Sequence, residues 1–311
     1  LQLRKLINTM HKRLIPLAAT LLISLNSSAN YDDTPLPDSA SRNKLYIVAS
    51  AGGGIYAGGL SFLSFVWYKD HERVPFHFYN DGKGYLQMDK FGHAYAAYWE
   101  SYAAYQALRW AGLSHNQALI WGGPVGFLFQ LPIEIFDGLY EGWGFSWWDV
   151  GANAFGSALF SAQQALWGEQ KMVMKFTYSP SGYPKYHHIL GETPLESFFL
   201  DYNGHTHWLS INLKGVTGLQ DLPPWLNVAL GYSANGMIKE FENPTWYRGE
   251  PFPHLERYRQ FLFSLDIDLT RIPAKQKWVR TTLQTINMIK IPFPTLEYNR
   301  VDGMKFRPIY F

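Results

Sequence analysis

Three stretches of the chain carry the residues whose types and spacing could do chemistry. They read Asp89-Lys90-Phe91-Gly92-His93, then Glu134-Ile135-Phe136-Asp137, then Ser146-Trp147-Trp148-Asp149, with Asn153 and Gly156 following. Residues four apart share a helix face, so Asp89 lies over His93 and Asp149 over Asn153, while Glu134 and Asp137 sit three apart. Tyr, Trp, Phe, Ala and Gly surround them, and burying charge in such company is costly unless the groups pair with one another, a metal or a ligand. Carboxylates plus one imidazole, here Asp89, His93, Glu134, Asp137 and Asp149, suit zinc, manganese or magnesium. Nothing in the sequence requires a cofactor, so a divalent metal is one candidate occupant. Carboxylates of unequal burial could also serve as acid and base. The plainer alternative is a structural network. In it Ser146 and Asp149 cap a helix, Asn153 bonds to a neighbouring helix, and Lys90 neutralises Asp137 or Glu134.

The elements that must position these groups are apolar. No charge occurs over residues 45–68, with Lys44 and Lys69 at the ends, and a helix of that length can cross a bilayer. Gly52-Gly53-Gly54 and Gly58-Gly59 within it permit close helix contact. Residues 69–87 are rich in turn formers and read as a loop. A second helix is expected over about 88–111. A third, capped by Ser114, should run to Gly138 with bends at Gly122-Gly123-Pro124 and Pro132, and a fourth should start at Ser146 and run to about Trp167.

Beyond Lys171 the period changes to two. Met172, Met174, Phe176 and Tyr178 share one strand face, as do Leu209, Ile211 and Leu213, then Leu226, Val228, Leu230 and Tyr232. Phe261, Phe263, Leu265, Ile267 and Leu269 follow, opposed by Gln260, Ser264, Asp266 and Asp268. One helix over about 275–288 is expected among the strands. The fold class is therefore α+β: an N-terminal apolar bundle of about four helices, then an antiparallel β-sheet or partial barrel. A sheet packed on the helices is preferred to a complete barrel, because five or six strands are fewer than the eight a closed bacterial barrel needs.

At 311 residues and 47% hydrophobic, the chain can bury a sizeable core, and its 12 Trp and 20 Tyr suit a membrane interface. Lys12 and Arg13, the apolar residues that follow and Ser27-Ser28-Ala29 have the layout of a secretory signal. Met10 is the natural initiator, so residues 1–9 are read as an upstream extension. The expected organisation is a signal peptide over 1–29, a linker over 30–43, a helical domain over 44–168 and a β-rich domain over 169–311. The full sequence carries a net charge of +2. Removing the leader takes away Arg4, Lys5, Lys12 and Arg13 and no acid, leaving −2. No basic run with interleaved aromatics remains, so nucleic acid is excluded as an expected partner. There is no cysteine, which removes disulfides, Cys-based zinc sites and a Cys-linked lipid from the expectations.

The Asp-Lys-x-x-His of Asp89, Lys90 and His93, the helical Glu134, and the Ser-x-x-Asp-x-x-x-Asn-x-x-Gly of Ser146, Asp149, Asn153 and Gly156 resemble the VanZ-like membrane proteins. They resemble more closely the YfiM-like predicted periplasmic proteins, a family of unknown function. This chain departs from many YfiM-like members in lacking the lipoprotein cysteine, and Asp137 stands where VanZ-like proteins often have Gln. The resemblance implies an envelope address and no specific reaction. The expected protein is a non-catalytic, outer-membrane-associated or periplasmic scaffold or subunit in the maintenance of a Gram-negative-type envelope. Its partners would be membrane lipid or an envelope protein complex. The alternative is a metal-dependent hydrolase acting on a lipid or cell-wall fragment, and a small-ligand carrier is a third reading. His205 and His207 on one strand face, and the His187-His188 pair, are read as packed or solvated histidines.

Overall fold

The computed structural model describes residues 41–66, 68 and 71–311. The expected signal peptide and the linker up to residue 40 lie outside the described residues. Helix α1 (Arg42–Val66) starts inside the last residues assigned to the linker. Leu45 and Val48 pack on the helical core and Tyr56 stacks on Phe129 at 4.3 Å. Its glycines make no close contact of the expected kind: a Cβ at Gly52, Gly53, Gly54, Gly58 or Gly59 would meet nothing within 4 Å among the described residues.

Helix α2 (Met88–Trp110) is the axis of the helical half, and its bounds match the expectation. The single helix expected after Ser114 is two, α3 (His115–Gly122) and α4 (Val125–Asp137). Ser114 and Gln117 form a capping box at the start of α3, and Pro124, whose nitrogen has no hydrogen to donate, falls at the break. Pro132 sits inside α4 without ending it. Helix α5 (Trp147–Trp167) is capped by Ser146, whose Oγ accepts from the Asp149 amide at 3.1 Å.

Two glycines set the helix spacing. A Cβ on Gly126 would lie 1.9 Å from the Ala97 carbonyl oxygen, and one on Gly156 would lie 2.1 Å from that of Ala94. Both α4 and α5 therefore cross α2 at near backbone contact. Ser101 and Ser157 bond to each other across the crossing at 3.0 Å, and their hydroxyls accept from the amides of Gly126 and Phe127. These bonds satisfy amides that the first turn of α4 leaves open. Around the crossings Tyr98, Tyr105 and Phe160 form the core, joined by Val173 and Met174 from the first strand. Among the described residues one helical stretch, His115–Asp137, is long and apolar enough to cross a membrane. A core helix passes the same test, and this stretch is the α3–α4 pair.

Strands β1 (Met172–Tyr178), β2 (His205–Asn212), β3 (Leu226–Asn235), β6 (Tyr258–Ile267), β7 (Phe293–Asn299) and β8 (Gly303–Tyr310) form one antiparallel sheet in that order, with β4 (Trp246–Tyr247) and β5 (Glu250–Pro251) as a separate ribbon. The sheet is not closed into a barrel. Instead of one inserted helix there are three: α6 (Pro194–Leu200), α7 (Leu213–Thr217) and α8 (Lys277–Ile286). Leu213, expected on the β2 face, opens α7, because Asn212 caps a turn there by accepting from the Gly215 amide at 2.7 Å. Leu269 likewise lies in a 3-10 turn capped by Asp268.

The sheet is inverted along most of its width. One row of paired residues runs Met174, Leu209, Leu230, Phe263, Leu296, Phe306 across all six strands. Met174 is covered by the helices, but Leu230, Phe263, Leu296 and Phe306 are 45–63% exposed. The opposite, polar face is the buried one: Lys175, Asp266 and Glu297 are 0% exposed. The sheet curls around that face until Tyr310 of β8 reaches β2, stacking edge-on to Trp208 and bonding to Thr206 Oγ1 at 3.1 Å. Met288 and Lys290 pair with Phe176 along the outer edge of β1, which covers part of an otherwise open strand edge.

Candidate functional site

The approach to α2 is strained. Tyr85, Leu86 and Gln87 have φ of 42°, 51° and 69°, three successive non-glycine residues in the left-handed region, at a cost of about 1–2 kcal/mol each. The turn is held from outside: the Tyr85 amide donates to the Glu240 carbonyl at 2.8 Å, Tyr232 donates to the Leu86 carbonyl, and Arg259 donates to Gln87 Oε1 at 2.7 Å. Residues of β3, β6 and the loop between them thus fix where α2 begins. Directly after the turn come Asp89, Lys90 and His93.

Lys90 is the centre of the cluster. Its Nζ lies 2.6 Å from Asp81 Oδ2, 2.9 Å from Asp89 Oδ2 and 2.7 Å from Asp149 Oδ1. The expected partners of Lys90, Asp137 and Glu134, are not the ones it contacts. Ser146 ties the same group to α5, because its hydroxyl donates to Asp81 Oδ1 at 2.5 Å while accepting from the Asp149 amide. Asp89 and Asp149 both stand in the first turn of their helices, where the helix dipole favours negative charge.

His93 bridges to the third helix. Its Nε2 is 3.7 Å from Asp89 and 3.8 Å from Asp149, and its Nδ1 is 3.1 Å from Asn153 Oδ1 and 3.4 Å from Glu134 Oε1. Asn153 Nδ2 donates to Glu134 Oε1 at 3.2 Å. An amide that donates to Glu134 and accepts from His93 fits an imidazole with protons on both nitrogens. The charge balance agrees. Burial alone would lower His93, but Asp89, Asp149 and Glu134 outweigh it and hold its pKa at about 9. Burial raises Glu134, which is fully enclosed, to about 8, against the pull of His93. Asp89 and Asp149 divide: burial and the Asp89 charge push Asp149 up, while the two neighbouring cations outweigh burial and keep Asp89 down. Glu134 Oε2 has no hydrogen-bond partner among the described residues.

The structure therefore brings together Asp89, Lys90, His93, Glu134, Ser146, Asp149 and Asn153. Asp137 stands apart. It accepts from the Tyr68 hydroxyl and makes no hydrogen bond or ion pair with the others among the described residues, and burial raises its pKa to about 6 against the pull of Tyr68 and the His93 charge. Two members of the cluster were not picked out from the sequence. Asp81 lies in a turn-rich stretch that gives it no helical phase, and Tyr202, whose hydroxyl donates to Asp89 Oδ1 at 3.0 Å, is 113 residues away.

The donor set that fits a metal is Asp89, His93 and Asp149, with one ligand atom from each lying within 4.8 Å of the others. Both of its carboxylates already face the Lys90 ammonium, and metal ligation needs a neutral imidazole. A divalent ion would have to displace Lys90 and deprotonate His93. As general acid, Glu134 would hold its proton at neutral pH, but it is walled off from solvent.

His205 and His207 lie on the same β2 face as Leu209, where the helical half and neighbouring rings cover them. His205 Nε2 contacts the Phe198 carbonyl at 2.8 Å, and neither ring nitrogen of His207 has a hydrogen-bond partner among the described residues. The His187 and His188 rings stack on each other and on Tyr247.

Residues 77–164 match the model of a family described as predicted periplasmic lipoprotein (DUF2279). The matched segment holds α2 to α4, α5 up to residue 164 and every cluster residue except Tyr202. No curated protein and no solved structure matches the chain. Over residues 77–164 the chain is thus similar to an uncharacterised periplasmic family, which supports an exported, periplasmic or cell-envelope location and is consistent with a non-catalytic envelope protein.

Proposed function

We propose that this is a non-catalytic scaffold or subunit of the cell envelope that rests on the outer membrane through its sheet, with the polar cluster as the internal lock of its helical half. The observation that carries the reading is the inverted sheet, in which Phe263 is 47% exposed and Asp266 on the other face is 0% exposed. A protein surrounded by water gains by burying the apolar face, whereas a surface against lipid turns that face outward. The strands β3 and β6, 10 residues each, have the length of strands that reach across the hydrocarbon layer. Lys90 supports the non-catalytic part of the reading, because an ammonium stands among the carboxylates that would otherwise recruit a cation.

Vesicle flotation tests it. The purified chain should rise with vesicles of outer-membrane lipids. Phe263→Arg with Leu296→Arg should cost about 1–2 kcal/mol of lipid affinity per charge, about tenfold each, without loss of fold. A chain that stays at the bottom of the gradient would refute the reading.

A second reading, a metal-dependent hydrolase acting on a lipid or cell-wall fragment, draws on the spacing of Asp89, His93 and Asp149. It requires stoichiometric zinc or manganese that is lost in a folded His93→Ala variant. Metal bound equally by wild type and variant, or by neither, removes it.

A further inference from the structure

Helix α5 is inverted in the same sense as the sheet. Residues 150–168 contain no charged side chain, and the polar groups of the helix, Asp149, Asn153, Ser157, Gln163 and Gln164, are all buried. They are paired inside. Asn153 donates to Glu134, Ser157 accepts from Ser101, Gln163 donates to the Met172 carbonyl at 2.9 Å and Gln164 to the Tyr105 hydroxyl at 3.2 Å. Every exposed position from Trp147 to Gly168 is apolar or glycine, with Trp147 66%, Phe155 59% and Leu166 74% exposed. A helix at a water surface has the reverse arrangement. Helix α4 repeats the inversion: Gln130 and Glu134 are buried, while Leu128, Ile135 and Phe136 are exposed. A protein partner suits the α5 face no better than water does. Protein interfaces set an apolar core within a polar rim, and no polar side chain is exposed along α5 to supply one. The face also runs on into the sheet. Phe155 and Leu159 of α5 line one groove with Leu230 of β3 and Phe261 of β6, which belong to the outward apolar face.

We propose that the outer face of α5 is a second lipid-contacting surface, continuous with that of the sheet, so that both halves of the molecule rest on one membrane. Three features select lipid as the partner: an exposed face that is apolar from end to end, polar groups turned inward and satisfied there, and continuity with the face assigned to the membrane. The Trp147 and Trp148 rings suit such a contact, because indole favours the boundary between acyl chains and headgroups. The inference takes the presence of a membrane from the function proposed above and adds the helical half to the contact. The inversion of α5 exists without it.

The chain has no cysteine, so one introduced cysteine takes one label. Phe155→Cys and Leu166→Cys on α5, Phe263→Cys on the sheet and Asp221→Cys in an exposed turn each carry an environment-sensitive fluorophore. On vesicles of outer-membrane lipids, the two α5 labels should be quenched by nitroxide-bearing lipid and shielded from aqueous iodide, as the sheet label is. The label in the turn should behave in the opposite way. Phe155→Arg with Leu166→Arg should weaken vesicle binding about tenfold, and the labelling stands as evidence even if that variant fails to fold. Lipid quenching on the sheet with iodide quenching on α5 would overturn the inference and leave the sheet contact in place. Shielding of the α5 labels from both quenchers, with a doubled mass in solution, would overturn it in favour of a second copy of the chain. A wild type that binds no vesicles would overturn both ideas.

Discussion

The helical half and the sheet both bury charge, but with opposite excess. Around Lys90 and His93 stand Asp81, Asp89, Asp149 and Glu134, so acids outnumber cations and Glu134 and Asp149 are pushed toward their protonated forms. Inside the sheet Lys175 pairs with Asp266 at 2.8 Å, and Lys290 lies near the same acid. Around that one acid the cations are in excess, while Glu297 further along the face pairs with Arg307 at 2.9 Å, and burial together with Lys175 brings Lys290 down to about 8. The same physics, desolvation against pairing, thus yields proton-holding acids in one region and a weakened base in the other. The helical cluster can adjust its charge near neutral pH by taking or losing protons on several groups. The sheet interior has fewer groups with which to do so.

The largest test of this contrast is Lys90→Met. It leaves three carboxylates facing one another without their shared cation, and should cost about 3–5 kcal/mol at pH 7 in denaturant unfolding. The loss should shrink toward pH 4 as the acids take protons, and a loss independent of pH would break the comparison. Lys175→Met should cost less, about 2–3 kcal/mol, because Lys290 remains close to Asp266. A penalty larger than that of Lys90→Met would mean that Lys290 does not share the charge.

The smallest effect is the pH profile itself. His93 has a raised pKa, so its stabilisation is complete below pH 6.5 and is lost as pH rises through about 9. Glu134 is also raised, with its contribution complete below pH 4.5 and lost through about 8. Asp89, held down, acts in the opposite sense and matters only in strong acid. The thermal midpoint should therefore decline from about pH 5 to pH 9. Glu134→Gln, which keeps an acceptor for Asn153, should flatten the decline and change stability by about 1 kcal/mol or less at pH 6. A midpoint that rises over this range would contradict the assigned protonation of the cluster.

Much of the helical half was legible from local rules. Helical spacing placed Asp89 over His93, and the Ser114 and Ser146 caps marked real helix starts. The break at Gly123-Pro124 was expected as a bend and is a full interruption. The membership of Asp81 and Tyr202 was not legible, because neither shares a helix with the groups it touches. The left-handed turn at Tyr85–Gln87 was not legible either, since non-glycine residues adopt it only when distant groups such as Tyr232 and Arg259 hold it.

By itself the sequence determined the alternation of the strands, the helical phases and the inventory of charged groups, because these follow from backbone periodicity. Tertiary structure alone decided which face of the sheet turned outward, since a period of two marks two faces without saying which is covered. It also decided which acids Lys90 would neutralise, because pairing is a matter of distance in space and the chain order carries no such distance.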